Sequence, residues 1–396
     1  MPESNRSTHH KGINLHIYPS RFAHRTRILK QMRAIWDWHC FDEIHVVAIH
    51  DGVLPQEEQI GPDQRVFRLT IPAILQSGGR LRRVLAHLFW MVKIHRTYAK
   101  QTIRCINCHN LGTLGLGVWF KIRYGSLLIY DAHELETQRN GWPTWLCWAT
   151  GVIERLLIRW VDQLIVVGPA IAAWYQNHYG LPDNRVHVVR NVPQKQPIIS
   201  ESIDLKRRMG IPAHHILCIY VGLLDSGRNI TMMLESFSRC HRSDIHLLML
   251  GYGPLSNTCQ SMAHAHDTIH YHPAVAPDQV VNYITAADVG LVLIEQSCLS
   301  YYYCLPNKLF ECLMAGVPVL TSDFPEMSQI VHTHACGWCI PPADEALVNF
   351  LQELHISAIE QKHHGAKQAA SLLDWHHEAN TMKQAYQEII DNTQKY

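Results

Sequence analysis

The sequence is poor in charge and carries no export or membrane-spanning signal. Asp, Glu, Lys and Arg make up only 17% of it and hydrophobic residues 47%, a balance that excludes a disordered chain. No apolar run approaches the ~18 residues needed to span a bilayer, and the stretch 84–92 is broken by His87. The first twenty residues are polar, with Glu3, Asn5 and His9, and lack a signal-peptide core. A cytoplasmic location is expected. No complete G-x-G-x-x-G follows a strand, since Gly251-Tyr252-Gly253 lacks the third glycine, which argues against a dinucleotide-dependent dehydrogenase. The basic residues come without a nucleic-acid recognition motif, so no nucleic-acid partner is expected.

Cysteine is not scarce, but its chemistry is. Most of the twelve cysteines sit among apolar neighbours, as in Leu217-Cys218-Ile219, and read as small buried hydrophobes. Cys105-Ile106-Asn107-Cys108-His109 spells a c-type haem attachment pattern, yet it overlaps a predicted strand in a chain without an export signal. Cys336-Gly337-Trp338-Cys339 resembles a thioredoxin-type pair but lies late, just before Ile340-Pro341-Pro342. The two pairs fall in different halves, so no shared zinc site is expected.

The net charge of +1 conceals a division. Through Arg190 there are 23 Lys and Arg against 14 Asp and Glu, a balance of +9; the rest has 12 against 20, a balance of −8. Either the first half meets an anionic partner or the halves attract each other across a cleft.

At 396 residues the chain suits two domains. Strand-like runs at 13–18, 44–49, 103–107, 127–130, 164–167 and 186–189 alternate with helical spacing at 25–38, 81–98 and 145–160. The segment 193–197 reads as a linker. The pattern then restarts with strands at 216–221, 246–250, 289–293 and 317–320 and helices at 230–238, 277–286 and 307–315. The tail from 343 is helical in composition. Such alternation predicts an α/β chain of two doubly wound parallel-sheet domains: residues 1–193, residues 200–375, and a final helix, 376–396, that packs back on the first domain. Ligands of such sheets bind beyond the carboxyl ends of the strands.

Four post-strand segments of the second half carry the chemistry. Gly222 to Asn229 follows a strand and opens a helix, with glycines for close backbone approach and Arg228 to fork onto phosphate. Gly251-Tyr252-Gly253-Pro254 makes another tight turn. His272-Pro273-Ala274-Val275 exposes backbone groups that could read a base edge. Pro306-Asn307-Lys308-Leu309-Phe310-Glu311 begins a helix whose N-terminal dipole and Lys308 suit a diphosphate, with Glu311 one turn on to accept ribose hydroxyls.

The string Leu305-Pro306-Asn307-Lys308-Leu309-Phe310-Glu311-Cys312-Leu313-Met314-Ala315-Gly316-Val317-Pro318-Val319 closely resembles the donor-site signature of bacterial family 4 glycosyltransferases of the GT-B fold. Tyr130-Asp131-Ala132-His133-Glu134-Leu135 is similar to the Asp-x-His-Glu segment of their capsule and O-antigen branch. The run 161–167 and Asn191-Val192-Pro193 match the closing strands of their first domain, and the resemblance covers about 13–344. It implies two Rossmann-like domains facing across a cleft, and a retaining enzyme that moves a sugar from a UDP- or GDP-linked donor to a saccharide or lipid-linked acceptor. No cofactor beyond the nucleotide-sugar substrate is implied. Arg228, Asn307, Lys308 and Glu311 would hold the donor, with backbone from Gly222, Gly251 and Val275. The chain lacks Asp-x-Asp, so neither a metal clamp nor the other common glycosyltransferase fold is expected. Two departures stand out: Tyr303 occupies the position of the family's first glutamate, and Leu223 replaces an arginine. They leave open a non-catalytic nucleotide-sugar-binding protein on the same scaffold.

On the acceptor side, His109 and His133 each follow a strand and are expected at the cleft floor. By the resemblance His133 touches the reacting sugar or acceptor and Glu134 orients or deprotonates; the alternative is a pair that merely caps the loop. Arg21, Arg25 and Arg27 follow the first strand and are candidates for contacting phosphate or an anionic acceptor. Basic residues in 79–104 surround Leu81, Leu85, Leu88, Phe89, Trp90 and Met91, and Trp142, Trp145 and Trp148 follow later. This stretch reads either as contact with an anionic membrane face or as core helices with solvated sides.

Overall fold

The computed structural model describes residues 12–23, 26–72, 79–194 and 205–393. Two sheets organise it. The first has eight strands: β1 (Ile13–Ile17), β2 (Glu43–Ile49), β3 (Glu57–Gly61), β4 (Gln64–Leu69), β5 (Ile103–Cys108), β6 (Leu127–Ala132), β7 (Gln163–Val166) and β8 (Val186–Val188). Their order is β3-β4-β2-β1-β5-β6-β7-β8, and every pairing is parallel except β3 with β4. The second has β9 (Ile216–Leu223), β10 (Ile245–Tyr252), β11 (Ile269–Pro273), β12 (Val289–Val292), β13 (Val319–Ser322) and β14 (Gly337–Ile340), all parallel, in the order β11-β10-β9-β12-β13-β14. The central strands read as continuous apolar runs because helices cover both faces; β6 and the first six residues of β9 are buried throughout.

The helices of the first half are α1 (Thr26–Asp37), α2 (Arg80–Tyr98), α3 (Leu111–Tyr124), α4 (Thr144–Leu157) and α5 (Pro169–Tyr179). Those that follow are α6 (Leu205–Arg208), α7 (Ile230–Arg239), α8 (Ser256–Ala265), α9 (Val280–Ile284), α10 (Leu299–Tyr302), α11 (Asn307–Met314), α12 (Pro325–His334), α13 (Asp344–Glu353), α14 (Ile356–Leu372) and α15 (Trp375–Thr393). Local chemistry sets their ends. The Asn110 side chain accepts from the Thr113 N–H to start α3, and Gly125 closes it at φ 72°. Pro169 opens α5 and Gly180 ends it at φ 67°.

The order of strands reverses between β1 and β5 in one sheet and between β9 and β12 in the other. These are the switch points where open α/β sheets leave a crevice. One apolar cluster includes Ile44 and Val46 of the first sheet together with Leu217, Ile219 and Phe310 of the second half, so the halves share a packed boundary. The last helix, α15, lies against β7, β8 and α1 of the first sheet, where the Tyr386 hydroxyl donates to Asn107 at 2.6 Å.

The sequence pattern did not reveal β3, β4 or β14. Two of these are polar: β3 reads Glu-Glu-Gln-Ile-Gly and pairs only with β4 at the sheet edge. The third takes up Gly337-Trp338-Cys339, so the Cys-Gly-Trp-Cys segment runs into a strand rather than a redox loop, with Cys336 buried just ahead of it. Cys105 and Cys108 lie inside β5, and burial raises both thiols, Cys108 to about 12. None of the twelve cysteines, all among the described residues, is joined in a disulfide. The helix expected over 277–286 shortens to α9, and the strand expected at 317–320 shifts to β13. The segment 193–197 falls largely outside the described residues.

Candidate functional site

A cavity of about 500 Å³ lies between the carboxyl ends of the two sheets. Its second-sheet wall begins with two glycines placed side by side at the ends of β9 and β10, Gly222 opposite Gly251. A side chain on Gly251 would put its Cβ 1.9 Å from the Gly222 carbonyl oxygen, so only glycine permits this approach. Gly222, at φ 130°, turns the chain into the cavity beside the Lys308 ammonium. Gly251 supports this wall from behind and does not line the cavity.

Lys308 is the most unusual group present. Its Nζ is buried without a hydrogen-bond partner and sits 3.7 Å from the centre of the Tyr220 ring. Burial, then the Arg228 charge, lower its pKa to about 7, with Glu311 pulling the other way. Arg228 stands over the Tyr301 ring at 5.1 Å and also lines the cavity. Glu311 is raised by its own burial, with Lys308 and then Lys30 opposing. Pro306 and Asn307 bring the N-terminus of α11 to the same cavity. Arg228, Asn307, Lys308, Glu311 and Gly222 therefore converge. Val275 does not join them: it is half-buried after β11 and packs against the shared core.

The opposite wall comes from the first sheet. Asp131, at the end of β6, is buried and anchors everything around it. Arg27 donates to both its oxygens, at 3.2 and 2.7 Å, and to the Val189 carbonyl at 2.9 Å; Gln31 adds a donor at 2.8 Å. Burial alone would raise Asp131, but Arg27, His133 and the histidine hydrogen bonds overcome it and hold the carboxyl well below its usual range. His109 Nδ1 lies 3.1 Å from the same carboxylate and His133 Nε2 3.2 Å. Behind them, His16 Nδ1 is 2.8 Å from His109 Nε2. Burial lowers His109 to about 4 and puts His16 well below the usual range, so both are neutral at pH 7. A carboxylate accepts only, so His109 and His133 each turn an N–H toward Asp131. In a neutral His133 ring, that assignment leaves Nδ1 as an acceptor.

His133 and Glu134 line the cavity, whereas His109 is buried beneath it as a support. Glu134 pairs with Arg139 at 3.0 Å and accepts from Ser300 across the cleft at 3.4 Å. Arg21 is exposed away from the cavity lining, and its carbonyl accepts from Arg68. Arg25 lies outside the described residues. Arg27 reaches the cavity, but three of its five N–H donors go to Asp131 and Val189. His109, Asp131 and His133 have the spacing of a metal triad. A cation there would face the Arg27 guanidinium on the same carboxylate, so the donor set fits a hydrogen-bond network better.

Tyr18, Tyr220, Ser300 and Tyr301 also line the cavity; nothing in their local sequence singles them out. Tyr303 is turned away and packs on the core of the first sheet. The halves are linked at the cavity rim by Asn191, which donates to Asn307 at 2.7 Å. Farther back, the Glu326 carboxylate accepts from the Ala170 N–H at the start of α5.

Comparisons with known proteins agree with this architecture. Residues 18–192 match the glycosyl transferase 4-like domain family and residues 215–355 the glycosyl transferases group 1 family. TuaC of Bacillus subtilis strain 168, described as a candidate teichuronic acid biosynthesis glycosyltransferase, is 26% identical over 144 residues. That match spans 36% of this chain and about a third, 34%, of TuaC. Sucrose-phosphate synthase of Thermosynechococcus elongatus superposes with a TM-score of 0.78 at 16% identity, over 96% of this chain and 100% of that one. HepE of Anabaena, solved with UDP-glucose, gives 0.69 at 12% identity over 97% and 100%. The chain thus joins a glycosyl transferase 4-like domain to a glycosyl transferases group 1 domain, in the two-domain GT-B fold of the glycosyltransferases.

Proposed function

We propose that this protein is a retaining glycosyltransferase that moves a sugar from a UDP- or GDP-linked donor to a saccharide or lipid-linked acceptor, in the manner of the capsule and O-antigen branch. The observation that carries the reading is the Lys308 ammonium, buried without an acceptor at the head of a helix and beside Arg228. Two cations held together in a half-enclosed site repel each other until an anion arrives, and a diphosphate satisfies both.

In the reaction, the bond between the anomeric carbon and the diphosphate oxygen breaks and its electron pair stays on the phosphate. Lys308, Arg228 and the free N–H groups at the start of α11 stabilise that charge as it grows. Glu311 binds the ribose hydroxyls, and Gly222 allows the backbone close to the phosphates. The acceptor hydroxyl attacks from the face that the leaving group vacates, which retains configuration, and gives its proton to the departing phosphate oxygen. His133, locked by Asp131, offers Nδ1 to a hydroxyl of the reacting sugar or acceptor, and Glu134 orients that side of the cleft. The cations come from side chains, so the clamp is metal-independent, and no cofactor other than the donor takes part.

Thermal unfolding with UDP-, GDP- and CMP-sugars, followed by donor hydrolysis, tests this. One nucleotide class should raise the melting temperature and be turned over. Stabilisation without turnover across a broad acceptor panel would favour a binding protein on this scaffold, and no stabilisation by any of them would refute the site.

A further inference from the structure

Helices α2, α3 and α4 cover the first sheet side by side, and each leaves large apolar residues exposed on its outer side. On α2 the buried residues are Ala86, Trp90, Ile94 and Tyr98, one helical face. Leu81, Val84, Leu85, Leu88, Phe89 and Val92 form a second apolar face at i, i+3, i+4, i+7, i+8 and i+11, and all are exposed, Leu81 at 73%. On α4 the pattern is more extreme. Trp145, Trp148, Val152 and Leu156 repeat at helical spacing on the solvent side, Trp148 at 72% exposure, while the buried residue of that helix is Glu154. Trp119 and Ile122 of α3, both exposed, belong to the middle helix. Exposed apolar residues scattered singly need no explanation, but three adjacent helices with apolar outer faces do.

Charge identifies the occupant. From 64 to 130 the sequence holds eleven Lys and Arg and no Asp or Glu. Exposed Arg83, Arg96 and Arg123 belong to this stretch, and exposed Arg155 and Arg159 lie on and just after α4. Glu154, the one acid on the three helices, is turned inward and accepts from the hydroxyls of Tyr130, Tyr175 and Tyr179. An apolar, tryptophan-bearing face with basic flanks and no outward acid matches the acyl boundary and headgroups of an anionic bilayer. A second copy would bring its own cations to the same seam. We infer that α2, α3 and α4 form a docking face by which this protein lies on a membrane of anionic lipid. The face connects to the cavity: Trp142, just before α4, stacks on Arg139 at 5.7 Å, and Arg139 pairs with Glu134. A lipid-linked acceptor would then reach Glu134 from the bilayer. This last step rests on the proposed transferase reading; the docking face does not.

Flotation with phosphatidylcholine vesicles, with and without phosphatidylglycerol, is the test. The full chain should float only with anionic vesicles and be released by salt. Trp145→Ser/Trp148→Ser and Arg83→Glu/Arg96→Glu should each weaken binding by about tenfold or more, with unchanged melting temperature and unchanged stabilisation by the donor nucleotide. Ile356→Ser/Leu372→Ser, at exposed sites on α14, should bind as the parent does. Equal binding to neutral vesicles, or none to either, overturns the inference. So does a dimer by light scattering that the tryptophan variant dissolves while vesicles go unbound. Failure of donor binding with vesicle binding intact would sink the transferase reading alone.

Discussion

Replacing Lys308 by methionine should uncouple nucleotide binding from pH. In the free protein the Lys308 ammonium has no acceptor, and burial and Arg228 lower its pKa from 10.5 to about 7. That lowering is a penalty on the order of 5 kcal/mol on the charged form. The unfolded chain keeps the proton up to 10.5, so the penalty is complete below pH 7 and fades as pH rises through that window. A bound diphosphate supplies the missing acceptor and restores the proton. Binding above pH 7 must therefore take up a proton, and affinity should fall roughly fifteenfold between pH 7 and 8.5. Lys30 is also lowered to about 7, chiefly by burial, but Asn191 and the Val192 carbonyl hold it in both states, so it should contribute little to the change. In Lys308→Met the pH dependence flattens, affinity at pH 7 drops ~30-fold or more, and the free protein melts no lower than the parent. Titration calorimetry with UDP or GDP, in buffers of different ionisation heat, measures affinity and proton uptake together. Proton uptake by the methionine variant equal to the parent's would refute the reasoning.

Asp131→Asn leaves Arg27 buried without its counter-charge and should cost ~3–5 kcal/mol by urea denaturation at pH 7. Because the folded pKa of Asp131 is depressed, its contribution is complete above about pH 4 and lost as pH falls through the folded value, so parent and variant should converge in acid. His133→Ala should lower turnover by ~10²-fold or more while the nucleotide dissociation constant stays within about threefold, as stopped assays and calorimetry would show. Gly251→Ala forces a Cβ into the Gly222 carbonyl and should destabilise the second domain by ~2–4 kcal/mol, read as a lower melting temperature.

Much of this was legible because strand ends advertise themselves. Gly222 and Arg228 stand at and just beyond an apolar run, while Asn307, Lys308 and Glu311 head a helix that Pro306 announces, and a parallel sheet gathers such residues at one edge. Other features escaped for physical reasons. The β3–β4 hairpin is polar and turns at Asp63, whose φ of 50° few residues adopt, so its pattern resembles a loop. His109 also stands beyond a strand, but its burial under Asp131 is a property of packing that spacing does not encode. The roles of Tyr220, beneath Lys308, and of Arg27, spent on Asp131, arise from contacts between elements distant in sequence. Lys308 reads in the sequence as a cation beside the helix N-terminus; its burial over Tyr220 turns that simple cation into a group poised near neutrality. Tyr303, the departure that most threatened an enzymatic reading, packs away from the cavity, so that position provides no direct donor contact in this conformation.

A crystal structure with whichever nucleoside diphosphate or its sugar stabilises the protein tests the central claim most directly. It should place phosphate oxygens within hydrogen-bond reach of Lys308 Nζ and Arg228, at the start of α11, with the ribose against Glu311. A nucleotide bound elsewhere, or one whose phosphates leave Lys308 Nζ still unpartnered over Tyr220, would contradict it.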